Sequence, residues 1–119
     1  MVKVLIVDDS SFARLNLRRA VEKAGHTVLE AASGASAIEM VQKEPVDIIT
    51  LDLLMPGMPG AEALTLLKQA CPQARVIIIT ADVQTPTRNA LLEAGADAFL
   101  NKPVPAAVLE DTIHSLMGI

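Results

Sequence analysis

Asp8, Asp9, Asp52, Thr80 and Lys102 each stand where an apolar run gives out. "VLIVDD" closes on two adjacent carboxylates, "DIITLD" on a third, "RVIIIT" on a hydroxyl, and "DAFLNK" on an ammonium. A carboxylate beside apolar surroundings must reach water or find a partner. Three carboxylates in one pocket repel, which raises their pKa values or demands a cation. Hard oxygen ligands with room for water suit Mg2+, which seldom accepts a cage made entirely of protein. A nearby lysine offers a mobile point charge fitted to a phosphoryl group. One carboxylate can then act as nucleophile on phosphorus and become an aspartyl phosphate. Metal and lysine would neutralise charge on the transferring group, with in-line positioning supplying much of the rest. Taken singly, each residue has a plainer reading. Asp9 or Ser10 would cap the next helix, Thr80 would cap or turn, and Lys102 would be a solvated charge. Their shared placement favours the joint reading.

That placement depends on the elements around them. Five short apolar runs recur, "VLIV" from Val4, "TVLEA" from Thr27, "DIITL" from Asp47, "RVIII" from Arg75 and "DAFL" from Asp97. Several are continuously apolar, which predicts strands covered on both faces, as in a parallel sheet. Helical stripes lie between them. Ala13, Leu17, Val21 and Ala24 form the first, with Arg14, Arg18, Arg19 and Lys23 mostly off it and Gly25 ending it. Ala37, Ile38 and Val41 mark a second that stops before Pro45, and Leu64 and Leu67 a third that stops before Pro72. Pro86 suits the first turn of a fourth that ends at Gly95, and Leu109, Ile113 and Leu116 mark a fifth. β-α repeated five times, with right-handed crossovers, predicts an α/β fold: an open, doubly wound parallel sheet with helices on both faces. In such sheets ligands bind outside the carboxyl ends of the strands, where these five residues stand.

Composition narrows the field further. A length of 119 residues fits one compact domain, residues 1–119, and 51% hydrophobic content excludes disorder. A net charge of -4 argues against nucleic acid as the direct ligand. Cys71 is the sole cysteine, so no disulfide framework exists and a reducing, cytoplasmic setting is expected. No run is long enough to span a membrane, so no membrane partner is expected. The two aspartates interrupt the start where a signal peptide would stay apolar. His26 and His114 have no companions at zinc-like spacing and read as ordinary surface or boundary residues. Phe12 and Phe99 are the only aromatics, which leaves no stacking platform for a base or flavin.

The stretches "VLIVDDSSFAR", "LDLLMPGMPG", "IIITAD" and "GADAFLNKPV" together resemble the receiver domain of two-component response regulators, especially the single-domain chemotaxis type. The resemblance runs from Lys3 to the final helix. It implies a flavodoxin-like strand order of 2-1-3-4-5. It also implies that Asp52 accepts phosphate from a phosphohistidine donor, with Mg2+ held by Asp8, Asp9, Asp52 and the backbone carbonyl of Leu54. Thr80 and Lys102 would contact the phosphoryl group. Thr80 and Phe99 would switch the face made by the fourth helix, fifth strand and fifth helix, and the peptide between Lys102 and Pro103 would be cis. The expected partners are a sensor histidine kinase or histidine phosphotransfer protein, with a phosphatase as a further candidate. The protein would then be a self-phosphorylating switch and not a turnover enzyme.

Three positions depart from the commonest pattern. Pro59 removes a helix-capping side chain, Leu54 is apolar two residues after the acceptor, and Asp82 adds a carboxylate two residues after Thr80. The alternatives are a small-molecule phosphatase with an aspartyl nucleophile, a flavin carrier, and a receiver-like interaction module that is never phosphorylated. The phosphatase would want an acid/base aspartate where Leu54 stands. The carrier would want a hydroxyl-rich loop where "DDSSF" supplies acid.

Overall fold

The computed structural model describes residues 2–81 and 85–119, with side chains omitted at 85–87. Strands β1 (Lys3–Val7), β2 (Thr27–Ala31), β3 (Ile48–Asp52), β4 (Arg75–Thr80) and β5 (Ala98–Asn101) alternate with helices. The helices are α1 (Ser11–Lys23), α2 (Gly34–Lys43), α3 (Gly60–Ala70), α4 (Thr85–Glu93) and α5 (Ala106–Met117). All strand pairs are parallel and the order is β2-β1-β3-β4-β5, as the resemblance implied. Both β1 and β3 are interior strands, and their apolar side chains are buried on both faces. That explains why they read as continuous apolar runs instead of alternating ones.

The helices divide between the two faces. Leu17, Ala20 and Val21 of α1 join Leu109, Ile113 and Leu116 of α5 over Val4, Ile6, Ile48, Ile77 and Ile79. Ala37 and Val41 of α2, Ala63, Leu64 and Leu67 of α3, and Leu91 of α4 cover Leu5, Ile49, Leu51, Val76 and Ile78. Gly25, at φ +91°, turns the chain out of α1, and the His26 amide then donates to the Val21 carbonyl. Because α1 and α5 lie side by side, His26 and His114, which sequence kept apart, face each other with Nε2 atoms 3.3 Å apart.

Several boundaries differ from the sequence reading for a local reason. Asp47 and Asp97 stand just before their strands, because each carboxylate accepts from the amide of a neighbouring strand. Asp47 takes Lys3 N–H at 2.9 Å, and Asp97 takes Val76 N–H at 2.8 Å. Asp52 and Thr80 are the last residues of β3 and β4 and do not follow them. Pro59 is the N-cap residue of α3 and offers no side-chain cap, as its sequence implied. Gly60 follows because a Cβ there would lie 3.1 Å from Leu53 Cα and 2.5 Å from Leu53 Cδ2. That close approach fixes the loop that carries the residues after Asp52.

Candidate functional site

Register delivers the acidic cluster. Val7 pairs with Leu51 across β1 and β3, so Asp8 and Asp52 come next to each other at the same sheet edge. Carboxylate oxygens of Asp8, Asp9 and Asp52 all lie within 4.8 Å of one another. Asp8 and Asp52 are buried and Asp9 is exposed, so the cluster opens to solvent on one side. Lys102 reaches in from beyond β5 and bridges the buried pair, with Nζ donating to Asp8 Oδ2 at 2.9 Å and to Asp52 Oδ2 at 3.2 Å. Burial alone would lower the Lys102 pKa, but hydrogen bonds and attraction from Asp8 and Asp52 outweigh it and raise the value above an ordinary lysine's. The second oxygens are also held. Asp8 Oδ1 accepts from Ser10 N–H at 2.9 Å, and Asp52 Oδ1 from Leu54 N–H at 3.0 Å. Three carboxylates against one ammonium leave two negative charges at the mouth. An all-oxygen donor set with that excess and an open side fits a hard divalent ion.

The other predicted residues gather around this cluster. Thr80 is 1% exposed, and its hydroxyl has no hydrogen-bond partner. A buried hydroxyl left unpaired costs free energy, so it marks a place where an added acceptor would be rewarded. The Lys102 amide donates to the Thr80 carbonyl at 2.8 Å, which ties the end of β4 to the lysine. The peptide from Lys102 to Pro103 is cis, as implied. Phe99 pairs in register with Ile78, and Thr80 stands two residues on, so Thr80 and Phe99 share one face of the sheet. The Phe99 ring is half-buried against the core on that face. Leu54 is 66% exposed, and its amide donates to the Asp52 carboxylate. Asp82 lies outside the described residues.

Sequence reasoning missed how α1 grips the cluster. Arg14, taken as one of the charges off the apolar stripe, donates through Nη1 to the Asp8 carbonyl at 2.6 Å and through Nε to Glu30 at 3.0 Å. Arg18 donates to the other oxygen of Glu30. The bond from Arg18, helped by Arg14, holds the Glu30 carboxyl below its ordinary pKa despite desolvation. No local signal marked this link, because Glu30 belongs to β2 and its partners to the helix before it. Arg88 was missed as well. Its guanidinium carbon sits 5.2 Å from the centre of the Phe99 ring, within cation–π range.

Comparison with known proteins agrees with this geometry. Residues 4–114 match the response regulator receiver domain. The chemotaxis protein CheY of Bacillus subtilis is 35% identical over 117 residues, which cover 98% of each chain. The sensory/regulatory protein RpfC of Xanthomonas campestris pv. campestris is 37% identical over 119 residues, 97% of this chain but only 16% of RpfC. Among solved structures, chemotaxis protein CheY4 of Vibrio cholerae superposes with a TM-score of 0.91 at 29% identity, over 98% of both chains. With its strand order, acidic edge and bridging lysine already in place, the chain belongs to the response regulator receiver domain family of two-component signalling.

Proposed function

We propose that residues 1–119 form one receiver domain that takes a phosphoryl group from a phosphohistidine donor onto Asp52. The observation that carries this reading is the clustering of three carboxylates within 4.8 Å, with Lys102 bridging two of them. An oxygen of Asp52 attacks phosphorus, the P–N bond to the donor imidazole breaks, and its electron pair returns to that nitrogen. Lys102 stays protonated and supplies positive charge to the phosphoryl oxygens. Asp8, Asp9, Asp52 and the Leu54 carbonyl would hold Mg2+, which neutralises charge on the transferring group when bound. Exposed Phe12 and a cavity of about 390 Å3 lined by Leu17, Ala20, Val104 and the Lys102 stem give a histidine kinase or phosphotransfer protein an apolar seat beside the site. Each molecule carries one phosphoryl group and acts as a switch. The lone buried Cys71 supports a reducing, cytoplasmic setting.

The output follows from Thr80. A phosphoryl group on Asp52 draws the unpaired hydroxyl toward itself, because a doubly charged acceptor rewards each added donor. Phe99, on the same sheet face, turns into the space released, and the face of α4, β5 and α5 changes as a two-state shift.

Acetyl phosphate with and without Mg2+, followed by intact-mass measurement, tests the acceptor. Wild type should gain one phosphoryl group only with the metal, while Asp52→Asn and Asp9→Ala should gain none. Full labelling of Asp52→Asn would refute the assignment. Beryllofluoride should move amide signals across Asn89 to Ala94, Phe99 and Ala106 to Leu109. Shifts confined to the acidic pocket would remove the proposed output face.

A further inference from the structure

We propose that His26 and His114 form a binding site for a tetrahedral divalent transition ion, Zn2+ above all, between the end of α1 and the last turn of α5. The two Nε2 atoms, from residues 88 positions apart, share a hydrogen bond of 3.3 Å with ring planes at 88°, a contact that a bound ion would replace. Zn–N bonds of about 2.0–2.1 Å at a tetrahedral angle place two ligand nitrogens about 3.3–3.4 Å apart, so the pair already has the required separation. His26 Nδ1 is buried, so an ion would bind this ring through Nε2.

The surroundings favour a cation. His26 follows the C-terminus of α1, and His114 lies in the last turn of α5, where its carbonyl accepts from Gly118 and Ile119. Parallel crossovers point both helices the same way, so two negative dipole ends converge on the pair. Glu110, one turn earlier on α5, adds negative charge toward His26, and water would complete the shell. Metal binding needs both rings unprotonated. Binding therefore weakens as pH falls and protons compete for the ring nitrogens. Unlike the acidic cluster, this site offers softer nitrogen ligands, which select Zn2+ over Mg2+. It lies at the opposite edge of the sheet and does not depend on the phosphotransfer reading. A bound ion would clamp α5 to the turn between α1 and β2.

Calorimetric titration of the full chain with Zn2+ in saturating Mg2+, which occupies the acidic cluster, tests the site. Wild type and Asp52→Asn should both bind one equivalent, with amide shifts at Gly25 to Thr27 and Ile113 to Gly118. His26→Gln and His114→Gln should each weaken binding by about 10-fold or more. Zinc should raise the wild-type Tm and not that of either variant. Imidazole nitrogen spectra of wild type need no variant, and Zn2+ should shift Nε2 of both rings. Binding that follows Asp9 and Asp52 while ignoring both histidines, unshifted ring nitrogens, or no binding at all would each overturn the proposal.

Discussion

Asp97 and Asp52 are carboxylates at opposite edges of one sheet, and their company could hardly differ more. At the amino edge Asp97 accepts from the Val76 amide at 2.8 Å and from Lys68 at 3.2 Å, with Arg75 at 3.7 Å. One negative charge there meets two cations and a backbone donor. At the carboxyl edge Asp8 and Asp52 share the ammonium of Lys102, Asp9 stands exposed beside them, and Thr80 keeps an unpaired buried hydroxyl. The first arrangement is satisfied and has nothing left to bind. The second is short of positive charge and leaves the Thr80 hydroxyl without an acceptor, so a cation or an added acceptor would be rewarded there. Stored dissatisfaction of this kind is how a stable fold keeps a reactive edge.

Exchanging the two lysines for methionine should separate these roles most sharply. Lys102→Met should cut labelling by acetyl phosphate by about 100-fold, since it removes a positive charge aimed at the transferring group. Lys68→Met should label at the wild-type rate, yet lose about 1–3 kcal/mol in urea unfolding, because Asp97 and the Ala74 carbonyl both lose a donor. Equal labelling by the two variants would erase the distinction between the edges.

A smaller effect concerns the life of the phosphoryl group. Leu54 projects into solvent beside Asp52 and offers attacking water no polar group. Leu54→Asn should therefore speed loss of phosphate a few-fold, read by intact mass after removal of the donor. An unchanged lifetime would mean that water is positioned elsewhere.

The smallest effect belongs to the strut between α1 and β2. The Glu30 pKa is lowered in the fold below its ordinary 4.5. Its contribution is therefore complete above that value in the unfolded chain and is lost as pH falls through the folded one. Comparing urea midpoints at about pH 6 and about pH 3.5, wild type should lose about 1 kcal/mol or less beyond the loss in Glu30→Gln. Identical pH profiles would show that Arg14 and Arg18 give Glu30 nothing.

Much of this was legible before any coordinates. The strands were readable because both faces of β1, β3 and β4 are covered, which forces unbroken apolar runs, and an Asp or Thr at the end of such a run stands out. Asp47 and Asp97 look the same in sequence but close a neighbouring strand's hydrogen bonding, a function that depends on register. Arg14 and Arg18 were indistinguishable from solvated charges until β2 brought Glu30 beneath them.

The sequence by itself determined the β-α alternation, the two faces to be buried and the five residues at the carboxyl edge of the sheet, because each rests on local pattern and residue chemistry. Tertiary structure alone decided that Lys102 bridges Asp8 and Asp52, that the Thr80 hydroxyl is left without a partner, and that His26 meets His114. Those facts join residues many positions apart. Their distances are set by strand register and by which helices share a face, and neither is written in the neighbouring residues.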